Sequence, residues 1–305
     1  MASGTTTYAS LPSGVFIRKL KGIFLTEAAK IDDYIPKMYN VTQTNLIQNM
    51  YQGFAGLGPA NQWDMESSIN FDTIASRYET TVTQIAFRKG VKITWKVKTY
   101  DKQFNLAQKE VASLAKSLAQ SKQIYAFSFM NNQLAGTGTK WNTTENKYLF
   151  ATDHPMANGS TFQNTVTGAL SVTTLQEAIW RLEATPDDNG VVMGLKAQNL
   201  WVNPYNYINA VEVVNKGIGL RSDVQYNTKN AFDEFGLNII SCQWLTDTDA
   251  WILQADEHNA VCESSVGYEQ SQWVENTSRS TIHEAIFAIQ VGATDWRGFV
   301  GSTGA

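Results

Sequence analysis

From Asp101 to Ala135 no proline or glycine interrupts the chain. Within that stretch Phe104, Ala107, Val111, Leu114, Leu118, Tyr125 and Phe129 recur at steps of three, four and seven, with Gln, Lys, Ser and Glu between them. This spacing predicts one helix over residues 101–135, capped by the Asp101 carboxylate and stopped by Gly136. Thirty residues of helix are about 45 Å long. A compact domain of 305 residues has a radius of gyration near about 19 Å, hence a diameter near about 50 Å. One helix therefore spans the whole body, which favours an elongated plate over a ball. A long core helix, or one member of a bundle, fits the periodicity equally well.

The residues before this helix carry the opposite periodicity. Val91, Ile93, Trp95 and Val97 alternate with Lys92, Thr94, Lys96 and Lys98, a period of two that predicts a strand over 91–98 with one wet face. Lysines on that face discourage random edge pairing. Tyr78 to Phe87 alternates partly and reads as β-rich, whereas Gly53, Gly56, Gly58 and Pro59 make residues 50–66 loop-like. Residues 1–49 read as an extended arm with one short helical stretch. Their apolar clusters, Val15-Phe16-Ile17 and Ile23-Phe24-Leu25, are isolated and suit a segment lying on something else.

Beyond Gly136 the chain reads as loops with short strands to residue 170. Thr174-Leu175-Gln176-Glu177 is a capping box opening a helix with Leu175, Ala178, Ile179 and Leu182 on one face. Pro186-Asp187-Asp188-Asn189-Gly190 is turn chemistry. Leu200-Trp201-Val202 reads as a buried strand, and Asn203-Pro204 as the cap and first turn of a helix running to Gly217. Gly236–Cys242, Trp251–Leu253 and Thr281–Val291 are further strands, the last with His283, Ala285, Phe287, Ile289 and Val291 on one face. The fold class is α+β.

The search for chemistry yields little. His154, His258 and His283 stand in no HExxH, HxH or Cys/His cluster, so no metal or cofactor is expected. A nucleophilic pair of Cys242 or Cys262 with a histidine has no local support, and buried structural thiols in a reducing compartment are expected instead. Gly53 to Gly58 lacks the Lys-Ser/Thr of a phosphate loop, and Asp187-Asp188-Asn189-Gly190 lacks the spaced carboxylates of a calcium loop. Hydrophobic residues at 43% and charged residues at 17% exclude a disordered chain. No apolar run approaches the roughly 18 residues of a membrane span, and the start lacks the pattern of a signal peptide. Charge is segregated: 15 Lys/Arg face 9 Asp/Glu in residues 1–122, and 9 face 19 in residues 123–305. Two solvated surfaces of opposite sign explain this; so does head-to-tail pairing of basic front with acidic back. The stripe Lys89, Lys92, Lys96 and Lys98 could meet phosphates, but without stacking aromatics a solvated or subunit-facing strand is preferred.

The order of elements resembles the Hong Kong 97-like fold of tailed-phage major capsid proteins. Leu149-Phe150-Ala151-Thr152-Asp153-His154-Pro155 with the capped helix from Thr174 is similar to the middle of several head-protein families, the Mu-like head subunits among them. Asn199 to Pro204 resembles their strand-then-proline entry to an axial-domain helix, and Leu245 to Leu253 and Thr294 to Gly298 resemble their C-terminal end. The resemblance implies an N-terminal arm (1–49), an extended β-hairpin loop (50–100), a peripheral domain (101–172) with spine helix 101–135, an α/β axial domain (173–260) and return strands of the peripheral domain (261–305). It implies a non-enzymatic shell subunit of the virion, assembled in the host cytoplasm. Hexamers and pentamers of this chain would enclose double-stranded DNA held in non-specific contact, with no membrane. A scaffold would be a separate protein, alongside portal and decoration proteins. Trp63, Phe71, Arg77, Lys89, Lys92, Lys96 and Lys98 are the implied inter-subunit contacts. A tail component or an encapsulin-like compartment protein remains an alternative, as does an enzyme of unrecognised type using His154, Cys242 or Cys262. Reversing charge at Lys92, Lys96 and Lys98 is expected to impair assembly and spare the fold, as read by particle yield and circular dichroism.

Overall fold

The uninterrupted stretch folds as one helix of thirty residues, α4 (Asn105–Leu134). The computed structural model describes residues 13–305 apart from 55–56, 58–61, 63–70, 72–75, 101–104, 143, 158, 215–231 and 233–234. The expected cap Asp101, with Phe104, lies outside the described residues. The expected stop is present: Gly136 has φ +64°, a conformation that costs glycine nothing. Thr137 N donates to Asn132 O at 2.8 Å and Gly136 N to Gln133 O at 3.4 Å, closing the helix in a Schellman motif.

Three segments before α4 depart from the sequence reading. The arm holds a sixteen-residue helix, α1 (Ser13–Ala28), then α2 (Ile35–Met38) and β1 (Asn40–Gln43), where one short helical stretch was expected. Leu20 and Phe24, one turn apart, are fully buried beside α4, each worth about 1.5–3 kcal/mol of burial. Residues 50–54, read as loop-like from their glycines but within the β-hairpin loop that the resemblance implied, join Gln48 and Asn49 in β2 (Gln48–Phe54), which pairs antiparallel with β3 (Ser76–Thr83). β4 (Ile85–Ile93) stops short of the expected Lys98, and Trp95–Tyr100 is a short helix, α3. The physical reason is the partner strand. Its last pair is Thr281 with Ile93, so no ladder continues, and Thr94 Oγ1 accepts from Val97 N at 3.5 Å to start the turn.

The larger sheet runs β1–β10–β11–β4, with β10 (Ala260–Val274) and β11 (Thr281–Ala293) as a long antiparallel hairpin. β10 falls where the resemblance implied return strands, but its own residues did not announce it: its Glu, Ser and Gln mask the alternation, and β-bulges near Val266 break it further. The expected face of β11 turns to the spine, where Phe287 stacks on Phe87 at 5.0 Å and Phe87 meets Tyr125 of α4 at 5.2 Å.

The second sheet runs β12 (Phe299–Ser302), β9 (Trp251–Ala255), β7 (Ala197–Val202) and β8 (Asn238–Ser241). Its alternate residues serve two cores. Leu200, Val202, Trp251, Leu253 and Val300 face the helices α5 (Val172–Glu183) and α6 (Tyr207–Val214). Trp201, Ile252 and Phe299 face the core built on α4. The cap of α5 lies three residues earlier than expected: Ser171 and Thr174 form the reciprocal box, with Thr174 in the place assigned to Glu177. Asn203 caps as expected, accepting from Tyr205 N at 2.9 Å, but Pro204–Asn206 is a 3-10 turn before α6. Short strands β5 (His154–Pro155) and β6 (Thr161–Phe162) occupy the intervening loops.

Gln254 ties the second sheet to the arm. Fully buried, its Oε1 accepts from Trp201 Nε1 at 2.6 Å and Asn199 Nδ2 at 3.2 Å, while Nε2 donates to the carbonyls of Lys37 and Met38 at 3.2 and 3.3 Å. Close packing joins the sheet to the spine as well: a Cβ on Gly301 would lie 2.7 Å from Leu134 Cδ1 and Phe150 Cδ1. Gln254→Ala strands the Trp201 N–H and two carbonyls, and is expected to lower unfolding free energy by about 2–4 kcal/mol, read as a reduced urea midpoint.

Candidate subunit interface

The basic stripe is the natural place to begin, and its lysines diverge. Lys89 sits on β4 and donates to Ser117 Oγ of α4 at 2.6 Å. Lys92, also on β4, is ion-paired with Glu275 beyond the end of β10. Arg88 pairs in the same way with Glu284 of β11. Hydrogen bonds from Lys92 and then Ser278 hold the Glu275 carboxyl below its ordinary range. The Ser271 hydroxyl, then Arg88, does the same for Glu284. The Lys92–Glu275 pair is solvent-exposed, and such pairs contribute at most about 1 kcal/mol, whereas an exposed Arg88 reaches down to a buried Glu284. Part of the basic front is thus met by the acidic back of the same chain. Lys96 is exposed on α3, and Lys98 lies on the same helix, away from the strand face where the alternation put them.

The β2–β3 hairpin carries the other expected contacts. Arg77 lies on β3, and Trp63 lies outside the described residues. Phe71 is 84% exposed, an apolar ring in water. Leu46, Ile47 and Met50, at the start of the hairpin, are exposed too. The hairpin base is fixed: Val82 is buried against Gly292, and Asn49 Nδ2 donates to the buried Glu263 carboxylate. A two-stranded hairpin is marginal by itself, so this seat and any external contact determine its order.

Sequence reading missed two apolar surfaces. At one end of the larger sheet, where β10, β11 and β4 finish, Trp273 and Val274 are exposed. Trp95, Tyr100 and Leu106 are exposed where α3 meets α4, with Trp95 edge-on to Tyr100 at 6.0 Å. Around the second sheet, Trp180 is 65% exposed on α5, Tyr205 79% and Ile208 69% beside α6. A signal existed: Trp180 falls off the Leu175–Ala178–Ile179–Leu182 stripe, and Trp273-Val274 is flanked by Gln272 and Glu275.

The titratable side chains are built into packing. Among the described residues no three His, Cys, Asp or Glu are placed to hold a metal. His154 stacks on Trp296 at 4.4 Å, between Glu145 at 3.4 Å and Asn164 at 3.2 Å. Asp188 and Asp295 clasp the buried Arg297 at 3.0 and 2.8 Å, so the Asp187–Gly190 turn spends a carboxylate on an ion pair. Burial pushes the Cys242 thiol up to about 11 and Cys262 up to about 12, leaving both as unreactive thiols.

The model of the phage capsid protein family matches residues 77–302, most of the chain. The chain belongs to that family. Solved capsids share its architecture at low identity. The virus-like particle of Pyrococcus furiosus is similar at 11% identity and TM-score 0.55, over 93% of this chain and 98% of that one. The capsid of cyanophage P-SCSP1u is similar at 12% and 0.54, over 88% and 87%. The mature capsid of bacteriophage PhiM1 is similar at 11% and 0.55, over 87% and 84%. No curated protein matches the chain in sequence. The fold is Hong Kong 97-like, and this phage capsid protein is a component of the head shell.

Proposed function

We propose that this chain is the major capsid protein of a phage head, its copies building hexamers and pentamers of an icosahedral shell around double-stranded DNA. The observation that carries the reading is the family match over residues 77–302. The apolar surfaces on separate parts of the fold support it, because one patch would suit a dimer and several suit a lattice. In this reading residues 1–49 are the arm, 50–100 the extended loop, 101–172 and 261–305 the peripheral domain, and 173–260 the axial domain. Trp63, Phe71, Arg77, Lys96 and Lys98 meet neighbouring copies. Lys89 and Lys92 contribute mainly by holding β4 in place, given their partners Ser117 and Glu275. A portal and decoration proteins complete the head, and DNA is held without sequence preference.

The likeness to a virus-like particle over 93% of the chain favours a second reading, a compartment shell enclosing something other than a genome. Nuclease-protected DNA inside isolated particles supports the phage head; its absence alongside packaged protein supports the compartment.

Aromatic anchors in an interface cost about 2 kcal/mol or more when truncated, and a shell repeats the loss at every contact. Tyr100→Ser with Trp273→Ser is therefore expected to leave folded subunits that form few or no particles by negative-stain microscopy and sedimentation. Normal particles from this variant would remove the apolar end from the interface. Wild-type chain that stays monomeric at high concentration, with scaffold present, would overturn the proposal.

A further inference from the structure

His283, the third residue of β11, is fully buried, and neither Nδ1 nor Nε2 has a hydrogen-bond partner. α1 lies over this part of the sheet: the Phe24 ring is 6.4 Å from the imidazole and 5.5 Å from Tyr268. An unpaired imidazole can be buried only while neutral, because an imidazolium has two donors to satisfy and a charge to solvate. We propose that His283 makes the seat of α1 acid-sensitive, so that protonation of the imidazole beneath Phe24 releases the arm helix from the sheet.

The groups around the imidazole support this sense. From β10 the register partner is Gln272, whose Oε1 is also buried without a partner, and from β4 it is Val91. Tyr268, pushed up to about 12 mainly by burial, stays neutral. From α1 the charged group that bears on His283 is Lys21, a cation. Burial first, and Lys21 second, lower the histidine below its ordinary 6.5. The unfolded chain therefore takes the proton first. The seat is at full strength above pH 6.5 and weakens as pH falls through the lowered value. Other groups do not mimic the effect. Glu27 of α1, held low by Lys30, and Glu284, held low by Ser271, remain ionised in this window. Glu110 of α4, raised by burial, gains a proton in the direction that favours burial. His258, also lowered by burial, lies against Phe299, remote in sequence from α1.

Hydrogen exchange of the full chain, read peptide by peptide and corrected for intrinsic rates, tests the proposal between pH 7.5 and pH 5.0. Protection across Ser13–Ala28 should fall below pH 6.5 with a slope of up to about tenfold per pH unit, that of one proton, while peptides of the α4 centre hold. His283→Gln should flatten the response. Lys21→Glu, at an exposed position, should shrink it by giving the imidazolium a counter-charge, and decides the matter if His283→Gln does not fold. Flat wild-type protection, a fall that persists in His283→Gln, or one unchanged in Lys21→Glu would overturn the proposal.

Discussion

Burial of the thirty-residue helix α4 is the constraint on which the rest depends. Ala107, Val111, Leu114, Leu118, Phe127 and Met130 form its buried stripe, and no neighbour in sequence is long enough to cover it. The cover comes from afar: α1 from the N-terminus, β4 and β11 over one part, and Phe150, Ile252 and Phe299 in the same core. Contacts of such sequence separation cost loop-closure entropy before they gain burial.

The second sheet extends this arrangement by division of labour between its faces. Trp201 turns to the spine core while Leu200 and Val202 turn to the core of α5 and α6. A single strand thereby joins both cores, and Gln254 locks the join by satisfying Trp201 and two carbonyls of the arm. A shell subunit has to transmit load between neighbours, and a shared sheet with no linker between cores suits that task. In the proposed reading, contacts between copies are spread over surfaces: the hairpin, the aromatic end of the larger sheet, and the exposed rings near α5 and α6.

Much of this was legible where one rule acts alone. The spine helix and its Gly136 stop, the strand β11, the Asn203 cap and the free, buried cysteines follow from periodicity, glycine conformation and burial. Where tertiary pairing overrides local pattern, the sequence misleads. Val91 to Lys98 alternates throughout, yet β11 offers partners only to Ile93, so Trp95–Tyr100 turns helical. β2 and β10 are strands because a partner exists, although their polar residues give little alternation. The charge segregation was visible, but its partial resolution within one chain, through Arg88–Glu284 and Lys92–Glu275, required the register of three strands.

Electron cryomicroscopy of particles formed by the full chain tests the central claim most directly. The expected result is a closed shell in which each subunit shows the 45 Å class of spine helix, about thirty residues at 1.5 Å each, and in which the hairpin and the aromatic end of the larger sheet lie against neighbouring copies. Particles whose subunits leave Phe71, Tyr100 and Trp273 in solvent, or a chain that forms no shell under any assembly condition, would contradict it.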